Sequence, residues 1–156
     1  MSSGFAHGLR GAGASILIAG LLAVSVLLGA CSRAPAEQRL RETIQAMEAA
    51  IEAGAVGDFI DHVGSDFTGN DGSYDRRQLH AWLRAMTLRR ERIGVSLGPL
   101  DIRLYDGGRA TVKVDVVVTG SSGGWLPDSG RRLHVDSVWR EDDGDWYCVS
   151  ANWDHP

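Results

Sequence analysis

The pattern of apolar and polar positions changes twice along this chain. Residues 14–30 form one apolar run, whose centre, 16–28, is interrupted only by Ala, Gly and Ser25. Residues 37–53 then place Leu40, Ile44, Met47 and Ile51 at helical spacing, with Arg and Glu on the other side and Gly54 as a stop. Residues 56–63 bring Val56, Phe59, Ile60 and Val63 to one face of a short helical piece that Gly64 ends. Residues 75–90 predict a third helix, with Asp75 as N-cap and Leu79, Trp82, Leu83 and Met86 as its apolar stripe. From Ile93 onward apolar positions alternate with polar ones, which is the period of strands.

Four strands are predicted there: residues 93–105, broken or bulged at Gly98-Pro99; 109–119; 131–140; and 145–153. In the second of them Val112, Val114, Val116 and Val118 share one face, and Thr111, Lys113 and Asp115 the other. Asp106-Gly107-Gly108 and Asp142-Asp143-Gly144 have tight-hairpin chemistry, whereas residues 120–130, rich in Gly and Ser, predict a longer loop. Helices first and an antiparallel meander second is an α+β order, with the helices packed on one face of a curved sheet.

That order resembles the nuclear transport factor 2-like superfamily, also called SnoaL-like or ketosteroid-isomerase-like. Two stretches strengthen the resemblance: Ser65-Asp66-Phe67 with the turn at 69–72, and Val138-Trp139-Arg140 with Asp143-Gly144-Asp145-Trp146. The resemblance implies a cone-shaped antiparallel sheet wrapped around three N-terminal helices. It implies no single reaction, because the superfamily holds isomerases, hydratases, dehydratases and binding modules.

The first apolar run reads as a secretory leader, with Arg10 and no acidic side chain before it and small residues at its end. It is short for a spanning helix, which needs ~20 apolar residues. Its last residues, Leu28-Gly29-Ala30-Cys31, resemble the lipobox of bacterial lipoproteins. The resemblance implies removal of residues 1–30 and acylation of Cys31. With Ser32 rather than Asp next, it also implies sorting to the outer membrane, facing the periplasm. Residues 31–36 are then a lipidated linker, and residues 37–156 one nuclear transport factor 2-like domain.

Composition narrows the partners. The chain carries 16 basic and 20 acidic residues, a formal charge of −4, and loss of Arg10 with the leader makes the mature protein more negative. Nucleic acid therefore has no electrostatic case. The expected partners are the membrane through its acyl anchor, an apolar small molecule or an envelope protein, and a second copy of the chain. Exported cysteines ordinarily pair. With Cys31 acylated, Cys148 is left as a small buried hydrophobe in the last strand.

Candidate chemistry is sparse. Residues 66–72 place oxygen donors at alternate positions, but a calcium loop needs Gly where Asp71 stands and Glu where Arg77 stands. His62, His80 and His134 lie on different elements without metal-ligand spacing, so no metal and no cofactor are expected. Ketosteroid-isomerase-like enzymes use a desolvated carboxylate as base. Asp66 and Asp136 are the nearest catalytic candidates, Asp136 on the same side of its strand as His134. No Tyr–Asp oxyanion pair accompanies them, so a binding module is the first expectation, a small isomerase or hydratase the second, and a structural dimer joined through the outer sheet face the third. Trp82, Trp139, Trp146 and Trp153 fall on periodic elements and are expected in the core. Trp125, in the long loop, is with His134 a candidate binding residue.

Overall fold

Three helices and seven strands follow one another in the computed structural model, which describes residues 34–89, 92–121 and 129–154. Helix α1 (Ala36–Glu52) buries the expected stripe of Leu40, Ile44, Met47 and Ile51. Helix α2 (Val56–Asp61) is shorter than its apolar pattern suggested, because the chain from Val63 onward finds strand partners. Strands β1 (Val63–Gly69) and β2 (Tyr74–Asp75) come next, then helix α3 (Arg76–Leu88). Asp75 caps α3 as expected. Its carboxylate accepts from the Gln78 amide at 2.7 Å while the Gln78 side chain accepts from the Asp75 amide at 2.8 Å, a reciprocal capping box.

The remaining strands are β3 (Arg92–Leu97), β4 (Asp101–Tyr105), β5 (Arg109–Ser121), β6 (Ser129–Asp142) and β7 (Asp145–Asp154). Their order in the curved, unclosed sheet is β2-β1-β7-β6-β5-β3, with β4 also on β5. β3 and β4 lie end to end along β5, pairing with its second and first halves. The predicted break between them has a physical cause. Pro99 has no N–H to donate, and the Gly98 amide donates to the Asp115 carbonyl at 2.8 Å, where a Cβ would stand 3.1 Å from that oxygen.

One expectation is corrected here. The stretch read as the end of a helical piece and a turn is β1, and it pairs in parallel with β7, Val63 opposite Cys148 and Gly69 opposite Ala151. The partner strand lies at the far end of the chain, beyond the reach of any local pattern.

The core sits between the helices and one sheet face, with Leu40, Val112 and Trp146 fully buried. Three devices close its margins. Arg76 donates to the Ile60 and Val63 carbonyls, each at 3.0 Å, and so satisfies the C-terminal end of α2. Glu52 and Glu48, one turn apart on α1, accept from the Val95 and Leu97 amides at 2.9 and 3.2 Å, which blocks the outer edge of β3. The start of α1 is fastened to the β6–β7 hairpin: Trp146 Nε1 donates to the Ala36 carbonyl at 3.1 Å, and Arg39 donates to the Gly144 carbonyl at 3.2 Å and pairs with Glu141.

Candidate functional site

The two faces of the sheet follow from strand alternation. On the inner face Ala110, Val112 and Val114 of β5 stand beside Ser137 and Trp139 of β6, and Trp146 and Cys148 of β7 complete the wall. Ser137 is the one buried polar side chain among the described residues. Its hydroxyl donates to the Val112 carbonyl at 3.1 Å and accepts from Trp139 Nε1 at 2.9 Å, so both of its bonds stay within the wall. The Cys148 thiol is pushed up to about 12 by burial. It is therefore neutral and inert at ordinary pH. No carboxylate is buried among the described residues.

The outer face is polar and organised in rows. Asp101, Lys113, Asp136 and Asn152 face one another across four strands, and Arg103, Thr111, Val138 and Ser150 form the next row. Between them lies a groove of about 320 Å3 that Tyr105 also lines. Its cations and anions alternate: Lys113 Nζ stands 3.2 Å from Asp136, and Arg103 3.7 Å from Asp101. With two basic and two acidic side chains, the lining has balanced charge. Such a surface fits a group that presents both signs.

A third row, Asp115, His134 and Asp154, borders the groove. His134 Nδ1 lies 2.9 Å from an Asp115 carboxylate oxygen. The hydrogen bond to Asp115, reinforced by the charges of Asp136, Asp115 and Asp154, raises the His134 pKa against the opposing effect of desolvation. On the same face Arg140 grips Asp66 with two bonds of 2.7 and 3.1 Å. That bond holds the Asp66 carboxyl below its ordinary value.

Neither catalytic candidate therefore sits where the expectation needed it. Asp66 lies on β1, exposed and ion-paired with Arg140, and Asp136 is exposed and paired with Lys113. Alternation explains it: both occupy outward positions of their strands. The structure does join Asp136 and His134, 3.9 Å apart, at the border of the groove. Cys31 and Trp125 lie outside the described residues. Of the four tryptophans expected in the core, Trp139 and Trp146 are buried, Trp153 is partly buried, and Trp82 is 40% exposed. Trp82, Trp153 and Tyr74 cluster with ring centroids 5.4 to 6.4 Å apart. Arg103, Lys113 and Tyr105 were not singled out from sequence. Their signal, alternating polar positions in Asp101-Ile102-Arg103-Leu104-Tyr105 beside Thr111 and Lys113, marks an outer face but not which strands adjoin.

No protein-family model matches the chain, and no curated protein sequence matches it. Solved structures do. A scytalone dehydratase-type protein of Novosphingobium aromaticivorans superposes with a TM-score of 0.69 at 10% identity, over 77% of this chain and 83% of that one. A dehydratase-type protein of the NTF2-like family from Streptomyces avermitilis gives 0.64 at 14%, over 76% and 94%. An NTF2-like protein of Cytophaga hutchinsonii gives 0.59 at 16%, over 77% and 98%. At these identities the likeness shows the fold alone: the domain shares the α+β fold of these proteins, a curved open sheet packed on its helices.

Proposed function

We propose that this protein is a lipid-anchored envelope protein, tethered through Cys31 to the outer membrane and facing the periplasm, whose domain binds rather than catalyses. The observation that carries the binding reading is the contrast between the faces. The described interior is closed by aliphatic and aromatic side chains, while the outer face holds a groove of about 320 Å3 with charges of both signs. The occupant this favours is a peptide or protein segment carrying an acidic and a basic group, since a singly charged ligand meets attraction and repulsion together.

A panel of dipeptides of mixed, acidic and basic character, followed by amide NMR, tests the reading. Mixed-charge members should shift Tyr105, Lys113, Asp136 and Val138, and Lys113→Glu should abolish those shifts. Shifts concentrated instead at Ser137 and Trp139 would return the site to the interior and revive the isomerase or hydratase reading, which the dehydratase-type neighbours keep in view. Anchoring has its own assay: an alkyne fatty acid should label the protein in cells, and Cys31→Ala should remove the label. A second reading, self-association through the outer face, is favoured by Val138 and Tyr105, which are 39% and 54% exposed on it. Sedimentation equilibrium decides it, with a monomer at every concentration as the refuting result.

A further inference from the structure

We infer that two copies of this chain join edge to edge along β4, about a two-fold axis through Ile102, so that their sheets run on as one. The Glu141 amide donates to the Gly108 carbonyl at 2.8 Å, next to the paired residues Arg109 and Arg140. Bonded and unbonded pairs alternate along an antiparallel ladder, so Arg109 turns its N–H and C=O away from β6 and toward β4. Asp101, Arg103 and Tyr105, opposite Lys113, Thr111 and Arg109, therefore direct their backbone groups to β5. Ile102 and Leu104 point theirs outward. The same parity holds in β3, whose outward amides at Val95 and Leu97 are taken by Glu52 and Glu48. β4 has no such cover: among the described residues it pairs with β5 alone, and Leu104 and Tyr105 are 44% and 54% exposed. An open edge of this kind is a template for another strand.

The side chains choose the strand that fits. Asp101 and Arg103 share the outer face, both exposed and 3.7 Å apart. When two identical edges pair antiparallel, an axis through Asp101 sets that residue against its own copy, and an axis through Arg103 does the same to Arg103. Like charges directly opposite each other are destabilising. An axis through Ile102 instead sets Asp101 of each copy against Arg103 of the other, twice. The Ile102 N–H and C=O then exchange two bonds with those of the second Ile102. The exposed Leu104 falls opposite Leu100, which packs on the core from the inner side. Such a contact is isologous and closes at two copies. It differs from association through the outer face, which needs no backbone pairing. The two grooves adjoin across the axis, since Asp101 and Arg103 line them.

The test combines sedimentation equilibrium of the full-length chain, in a density-matched detergent, with amide hydrogen exchange. A dimer is expected, with exchange at the Ile102 amide slowing as protein concentration rises. Arg103→Asp, which sets Asp against Asp on both sides of the axis, should raise the dissociation constant at least about tenfold. The charge swap Asp101→Arg with Arg103→Asp should restore the dimer, because both pairs re-form with their signs exchanged. A monomer at every concentration overturns the inference. A dimer that Arg103→Asp leaves unchanged, or an Ile102 amide whose exchange ignores concentration, overturns it too and leaves outer-face association standing. Failure of the swap to restore the dimer overturns the axis through Ile102. Amide exchange is read on the unaltered chain, so it decides the matter whether or not the variants fold.

Discussion

The inner and outer faces of the sheet are built from the same strands and differ only in which alternate residue each presents. Val112 and Lys113 are chain neighbours, one fully buried and the other exposed in a charged row. Trp139 and Arg140 repeat the contrast on β6. The inner face gains stability from close packing, where each lost atom leaves a cavity. The outer face gains little from its ion pairs, because water screens them. Chemistry that needs desolvation belongs inside, and here every titratable candidate for it lies outside.

The largest test of that contrast is a pair of truncations. Trp146→Ala removes a fully buried ring and the bond to the Ala36 carbonyl, and is expected to cost ~3–5 kcal/mol in denaturant unfolding. Lys113→Ala on the outer face is expected to stay within about 0.5 kcal/mol. Similar costs for the two would falsify the division of labour between the faces.

An intermediate effect is expected at the sheet edge. Replacing Glu48 and Glu52 by Ala frees the Val95 and Leu97 amides of β3, at about 1 kcal/mol for each lost bond. The stronger signature is association, since an opened edge strand templates pairing with another chain. Light scattering that stays flat with concentration for the double variant would show that the carboxylates are not what guards the edge.

The smallest effects are pH effects on the outer face. Asp66 is held low, first by its bond to Arg140. Its contribution to stability is present above the ordinary carboxylate value, about 3.9, and is lost as pH falls through the lowered folded one. His134 is raised, first by Asp115. Its contribution is present below about 6.5 and is lost as pH climbs through the raised folded value. NMR titration should show both directions, with Arg140→Ala returning Asp66 upward and Asp115→Asn returning His134 downward. Unmoved values in those variants would mean the pairs do not persist in solution.

Much of this fold is legible in the chain. The stripe of Leu40, Ile44, Met47 and Ile51, the Asp75 cap, the break at Gly98-Pro99 and the two Asp-Gly hairpins are local features, set by backbone geometry and side-chain periodicity within a few residues. The strand Val63–Gly69 is not legible in that way, since it exists by pairing with Cys148–Ala151 across the whole domain. The site was less legible still. The expectation that Asp66 and Asp136 are desolvated depended on which face they occupy and on Arg140 and Lys113, which only the strand register brings to them.

The sequence by itself determined the periods of the elements, their order, and the alternation that makes one sheet face apolar and the other charged. Those are short-range properties. Tertiary structure alone decided that β1 lies beside β7, that Glu48 and Glu52 close the β3 edge, and that Asp101, Lys113, Asp136 and Asn152 form one row across four strands. Each depends on register between segments far apart in the chain, and a shift of one residue would turn every side chain in a row to the opposite face.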